Sequence, residues 1–398
     1  MLPRRSTAVC LRCHNPIATT IGRSLDAALA CSLATLLLLV PADVLPLLAA
    51  EAFGRRSRAS LIGGITQLWN HEWILLAGLS AIFVILLPAV RLGLLCAVLG
   101  ALRLDYRPAW LGRAFRWAMW LDRWAMVDVF LVAVAAGYYY LNNVERLALS
   151  IQVGGVFLMA AGLLTMLSRA TLDEQTVWRA IGADVAAAPA EPATGCSACG
   201  LVQPLRRAGT PCLRCGLPVR RRKPHAAART AALASAAFIL LIPANIYPMN
   251  ISVLLGTRAT YTSFGYVLQL WSLGLWPLSV LVFWTSIVNP AVMVLSLGWC
   301  VISVWRGSDR RLVLKTRLAR LVGEAGRWSE TSPLSIVFFV PLVDFGSLGA
   351  ESAGWGATAF ILMSLLTIAA TVTFDPRELW DTASRTGIAD EASHPEAA

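Results

Sequence analysis

Four cysteines lie within the stretch "CSACGLVQPLRRAGTPCLRCG" at residues 196–216, spaced C-x2-C-x12-C-x2-C. Cys196, Cys199, Cys212 and Cys215 form two knuckles, and Gly200 and Gly216 directly follow the two pairs. That spacing lets four thiolates surround one ion tetrahedrally, and the glycines suit the tight turns that close each knuckle. The pattern predicts a zinc ribbon holding a structural Zn2+, with iron ranked behind zinc. Four thiolates leave no open coordination position for a substrate, so the predicted site is structural. Thiol redox chemistry and inert packing are the competing readings.

A second pair, Cys10 and Cys13 in "CLRCHNPI", repeats "CLRCGLPV" at 212–219 and is a further candidate for metal binding. The positions that would match Cys196 and Cys199 fall before Met1. Three readings stay open: a start that lies upstream, a copy that has decayed, or a metal site completed from elsewhere. Residues 10–14 also read as C-x-x-C-H, the c-type haem attachment pattern. The matching copy has Gly216 where His14 stands, and the topology derived below puts Cys10 on the wrong side of the membrane for that attachment. Cys31, Cys96 and Cys300 occur singly in apolar runs and read as small core residues.

The other candidates are polar groups inside apolar runs, where they are costly and are functional suspects by default. They are Asp128, Arg91, Asp43, Asn245, Asn250, Asn289 and Asp344, together a candidate pathway through the membrane. Each also has a bland reading. Arg91 can snorkel to an interface, Asp43 can sit at the outer headgroups, and Asp128 can mark a boundary. A buried Asp128 needs a partner, and Arg91 is the available cation. Such a pair relays protons, gates a cavity or only locks helices. Catalytic machinery is not visible: His14, His71, His225 and His394 are scattered, and no nucleophile triad, phosphate loop or dinucleotide fingerprint occurs. The chain therefore reads as a non-enzyme.

The elements that must hold these groups are membrane helices. The 398 residues are 57% hydrophobic and 14% charged, against roughly 25% charged in soluble domains. Eight apolar spans are expected, at 25–48, 73–102, 126–141, 151–168, 230–254, 271–304, 334–346 and 354–373. The net charge of +11 follows topology: 28 of the 34 Lys and Arg fall on one side of these spans, which the positive-inside rule makes cytoplasmic, as are both termini. Nucleic-acid binding is thereby disfavoured.

The chain is also duplicated. "PADVLP" at 41–46 and "PANIYP" at 243–248 lie 202 residues apart, and so do the two "CLRC" segments, the two "QLW" segments at 67 and 269, and the two "PAV" segments at 88 and 290. Further along, the register is read as slipping, with "RWAMVDVF" at 123–130 meeting "RWSETSPLSIVF" at 327–338. The expected fold is an all-α integral membrane protein with two parallel repeats of four transmembrane helices, each preceded by a small cytoplasmic zinc-ribbon element, the first truncated. The expected segments are a partial ribbon at 1–24, a first repeat at 25–182, a linker at 183–195, a ribbon at 196–224, a second repeat at 225–381 and a disordered acidic tail at 382–398. The prolines of the repeated phrase are expected to bend the first helix of each repeat, either as a kink without function or as a bent helix lining a cavity.

A tandem of ribbon plus four spans, with "PANIYPM" in the first span of a unit, resembles the paraquat-inducible protein A family. "RWAMVDVF" is similar to that family's R-W-S-M-x-D-V-F motif, and "FDPRELWD" at 374–381 is similar to its closing F-D-P-R-x-x-W-D. The likeness runs over about residues 10–381. It implies an inner-membrane protein of Gram-negative bacteria that works with an MCE-domain periplasmic tunnel protein and loads or receives phospholipid at the tunnel base. Two departures stand out: the first ribbon lacks a Cys pair, and Ser335 falls where the second repeat's motif expects an Asp. The alternative is a redox-active membrane protein passing electrons between thiols or metal and quinone. A third reading is a structural or regulatory protein whose ribbon docks a cytoplasmic partner.

Overall fold

A computed structural model of the chain describes residues 7–10, 16–19, 25–52, 55–71, 73–142, 148–182, 193–254, 257–308, 310–325 and 349–382. These form two compact units, one built mainly from Pro16–Arg221 and the other from Arg222–Ile336 with Gly346–Ala398.

The first unit starts with a short antiparallel hairpin, β1 (Thr7–Val9) and β2 (Pro16–Thr19). Helix α1 (Leu25–Val44) then runs through Pro41 and stops before Pro46. Strands β3 (Leu48–Ala52) and β4 (Arg55–Ala59) form a hairpin, and α2 (Leu61–Asn70) follows, capped by the Ser60 hydroxyl accepting from the Gly63 N–H at 3.1 Å. Helix α3 (Ile74–Ser80) passes through one π turn, Ala81–Leu86, into α4 (Leu87–Arg103), giving a continuous 30-residue rod. The π turn has a local cause. Pro88 lacks an N–H and its ring crowds the carbonyl four residues back, so the turn before it widens, and Leu87 N–H bonds Ile82 O, five back. Helices α5 (Leu111–Leu121) and α6 (Val127–Asn142), strand β5 (Ala148–Ile151), α7 (Val153–Thr171) and α8 (Glu174–Ile181) complete the repeat. The strand order is β4-β3-β5, antiparallel. The ribbon strands β6 (Ala193–Gly195) and β7 (Val202–Pro204) pair antiparallel in the same unit.

The second unit repeats this order. It comprises α9 (Ala226–Ile246), β8 (Asn250–Leu254), β9 (Thr257–Tyr261), α10 (Ser263–Ser272), α11 (Trp276–Phe283), a π turn at Trp284–Val288, α12 (Asn289–Trp305), α13 (Leu312–Ala325), β10 (Gly349–Ala353) and α14 (Trp355–Thr373). Its π turn precedes Pro290, and Asn289 N–H bonds Trp284 O, again five back. The sheet order is β10-β8-β9.

The duplicated proline phrase builds one corner twice. Pro41 and Pro243 lie inside their helices, while the residues before Pro46 and Pro248 leave the helix, as pre-proline residues tend to. The corner carbonyls then receive donors from the last long helix of the same repeat, α7 or α14: Gly154 N–H bonds Pro46 O, and Gly356 N–H bonds Pro248 O, both at 3.0 Å. A Cβ at either glycine would run into a corner carbonyl, Leu45 O or Tyr247 O.

The structure differs from the sequence expectations in its spans and in its sheets. Six helices, not eight, are long and apolar enough to cross a membrane among the described residues: Leu25–Val44, Ile74–Arg103, Val153–Thr171, Ala226–Ile246, Trp276–Trp305 and Trp355–Thr373. The expected span at 126–141 is the shorter helix α6, and that at 334–346 lies outside the described residues. The all-α expectation is corrected by two three-stranded sheets, because each proline corner turns the chain into a hairpin before the next helix starts. The register slip read at 327–338 lies outside the described residues; beyond it, α14 lies 202 residues after α7, end to end.

Candidate metal centre and buried ion network

In the ribbon, each knuckle closes with the same pair of backbone bonds. Gly200 N–H reaches Cys196 O and Gly216 N–H reaches Cys212 O, at 3.0 and 2.9 Å, and both glycines hold φ near +70°. That left-handed backbone is where glycine costs least. All four thiols are buried, and their sulfurs lie within 4.8 Å of one another. The Cys196–Cys215 and Cys199–Cys212 Sγ separations are both 3.6 Å. Four sulfurs at Zn–S distances of about 2.3 Å sit roughly 3.8 Å apart on a tetrahedron, so this donor set fits a tetrahedral ion. Hydrogen bonds from Cys199 and Cys215 hold the Cys196 thiol well below the ordinary range, which favours a thiolate there. Gln203 Nε2 donates to Cys212 Sγ at 3.1 Å, an outer-shell contact that the sequence reading missed.

The ribbon packs on the first repeat. Arg116 of α5 donates from Nη1 to Cys215 O at 2.9 Å, and a Cβ at Gly112 would strike the Arg214 carbonyl. Phe115 of α5 meets Trp178 of α8 edge-on at 4.8 Å, in one apolar cluster with the four cysteines. Cys10 is partly buried after β1, and Cys13 lies outside the described residues.

The membrane candidates come together only in part. Asp128, at the start of α6, and Arg91, in α4, are both 2% exposed. They belong to a four-residue network with two members that sequence reasoning did not single out. Arg91 Nη2 reaches Asp122 Oδ1 at 2.7 Å. Arg169 of α7 bridges, its Nε to Asp122 Oδ1 at 2.9 Å and its Nη1 to Asp128 Oδ2 at 2.6 Å. Two guanidiniums and two carboxylates sum to zero charge, which makes burial affordable only as a set. The π turn helps to place it: Phe83 O in the widened turn accepts from Met126 N–H at 3.2 Å, and Phe83 stacks on Trp124 at 5.8 Å. These contacts fix the chain two residues before Asp128. A signal for Arg169 was present, since Thr371 stands at its place in the second repeat just as Met293 stands at that of Arg91.

The remaining candidates are dispersed. Asp43 is buried in the last turn of α1, and Asn245 occupies the corresponding place in α9, donating from Nδ2 to Leu241 O at 2.8 Å. Asn289 is buried at the start of α12 beside the second π turn. Asn250 opens strand β8, opposite Tyr261 and Ala353, rather than lying in a helix. Asp344 lies outside the described residues.

Comparison with known proteins follows the same duplication. The family described as Paraquat-inducible protein A matches twice, over residues 25–182 and 227–384. Intermembrane transport protein PqiA of Escherichia coli (strain K12) is 28% identical over 387 residues, covering 94% of this chain and 90% of that protein. Lipophilic envelope-spanning tunnel protein A of the same strain is 27% identical, covering 94% and 86%. A probable intermembrane transport protein of Haemophilus influenzae is 24% identical, covering 96% and 92%. No solved structure matches.

Proposed function

The chain belongs to the paraquat-inducible protein A family, and on that premise we propose that it is the inner-membrane subunit of an MCE-type intermembrane lipid transport system. It loads or receives phospholipid at the base of a periplasmic tunnel protein, with both termini in the cytoplasm. The observation that carries this reading is the near full-length likeness to proteins named for intermembrane transport and for an envelope-spanning tunnel. The duplicated membrane repeat and the charge bias of its loops support it. The ribbon holds structural Zn2+ through Cys196, Cys199, Cys212 and Cys215, and buttresses α5. The network of Arg91, Asp122, Arg169 and Asp128 belongs to the working part of the first repeat, and the protein performs no catalysis. No feature of the described residues favours the alternative of electron transfer to quinone.

The test is cross-linking in the native membrane, mild-detergent purification and mass spectrometry of proteins and lipids. An MCE-domain partner with bound phospholipid is the expected result. A lipid-poor protein carrying quinone or haem overturns the proposal.

A further inference from the structure

The second unit carries a groove that the ion network and the ribbon do not use. It runs between α9 and α12, encloses about 560 Å³ and is almost wholly apolar. Along α12 it extends from Val294 to Trp305, 12 residues spanning about 16 Å, close to half of a hydrocarbon core of about 30 Å. Small residues keep it open: Ala231, Ala234 and Ser235 on α9, and Gly298 on α12. A Cβ added at Gly298 meets nothing within 4 Å. Trp299 and Trp305 wall it, and Trp305 remains 63% exposed. The first repeat carries the larger Leu29 and Leu33 where the second has Ala231 and Ser235, and the small Ser32 and Cys96 at the places of Ala234 and Gly298, so the wall on α9 is opened further in the second.

The end of the groove at Trp305 is cationic. Arg306 is exposed and stands one turn beyond Ile302, a lining residue. Lys315 is buried behind the wall, its Nζ 5.7 Å from the Trp299 ring centroid and bonded to Ser303 Oγ at 2.6 Å, which holds the indole in place. An apolar slot one leaflet deep, closed by an aromatic wall and ending at an arginine, matches one acyl chain with an anionic headgroup above it.

We propose that this groove binds one acyl chain of an anionic phospholipid of the cytoplasmic leaflet, with its phosphate held at Arg306. The assignment deepens the transport reading and rests on its orientation of the chain. The test uses the full chain in nanodiscs, without a tunnel partner, and phosphatidylglycerol bearing a photoactivatable diazirine in one acyl chain. Labelled peptides are mapped by mass spectrometry. Label is expected to concentrate on 231–239 and 294–305 and to be lost from both in Gly298→Trp. Ala231→Leu, which installs the residue type of the first repeat, gives the same loss should the tryptophan variant fold poorly. Arg306→Gln is expected to raise severalfold the phosphatidylglycerol fraction needed for half-maximal labelling. Label spread evenly over exposed helix faces, or unchanged in both groove variants, overturns the proposal. Equal labelling by a phosphatidylethanolamine probe overturns the role of Arg306. Groove labelling needs no transport, so intact labelling alongside absent lipid transfer in a tunnel-partner assay refutes the transport reading and leaves the groove standing.

Discussion

The two repeats share a scaffold and differ in what it carries. Both have a proline corner whose carbonyl is bonded by a glycine N–H of the last long helix, and both widen to a π turn before the proline of the long rod. Only the first places two arginines on that frame. Where Arg91 and Arg169 stand, the second repeat has the buried Met293 and the half-buried Thr371, whose hydroxyl bonds its own helix at Ile368 O. Ser32 and Ser168, 2.9 Å apart between α1 and α7, become Ala234 and Ala370. The second repeat keeps its buried cation elsewhere, at Lys315. Backbone-satisfying residues are therefore the invariant of the duplication, and charge is what diverged. A corner carbonyl without a donor costs either copy the same, whereas an ion network is useful only where its whole set is present.

The largest expected effect tests whether the ribbon, encoded between the repeats, belongs energetically to the first. Structural zinc sites in isolated fingers supply about 10–16 kcal/mol of binding free energy at neutral pH. Cys212→Ser is expected to abolish stoichiometric zinc, measured by elemental analysis of the purified protein. It is also expected to expose α5 and α8 to proteolysis while α9 to α14 stay protected. Full metal retention would refute the four-thiolate site, and equal loosening of both units would break the asymmetry.

Much of this was legible from residue order. The four cysteines, the 202-residue offset and the spanning rods need only spacing and hydropathy, because knuckle turns, helices and proline corners are local. The network was half legible. Asp128 and Arg91 stand out inside apolar runs, but Asp122 and Arg169 look like ordinary interfacial charges, and only packing of α4, α5, α6 and α7 brings the four together. Asn250 was misplaced because "MNISVLL" is as apolar as a helix end, and the break at Pro248 decides its conformation. The groove was not legible, since small residues on two separate helices gain meaning only when those helices face each other.

The second effect, in size, tests charge divergence directly. Arg169→Thr writes the second repeat's residue into the first and removes the guanidinium paired with the buried Asp128 carboxylate. Breaking a buried pair on one side costs roughly 3–5 kcal/mol, and the low end, about 3, is expected here because Asp122 keeps contact with solvent. Thr371→Ala, at the same register, removes only a hydroxyl bonded within its own helix and is expected to cost under about 1 kcal/mol. Thermal unfolding of both variants in detergent, followed by tryptophan emission, is the measurement. Similar shifts would mean that the network contributes no more than a helix-internal hydroxyl.

The smallest effect sharpens the other half of the comparison, because it is expected to be the same in both repeats. Gly154→Ala and Gly356→Ala each push a methyl group against a carbonyl of the proline corner. The neighbours cannot give way freely. The Pro46 and Pro248 carbonyls are held by the glycine N–H groups themselves, and Leu47 and Met249 are tied to Ala59 and Tyr261 at 2.7 and 2.8 Å. Overpacking against a fixed backbone costs about 1–3 kcal/mol. Alanine recovers part of this, about 1 kcal/mol, through helix propensity, since both positions lie in the first turn of a helix. Each variant is thus expected to lose about 1 kcal/mol or somewhat more, and the two losses should agree within experimental error. If Gly154→Ala is costly and Gly356→Ala is silent, the corners are not equivalent. The duplication would then have relaxed its backbone as well as its charges, and the second repeat would owe its shape to other contacts.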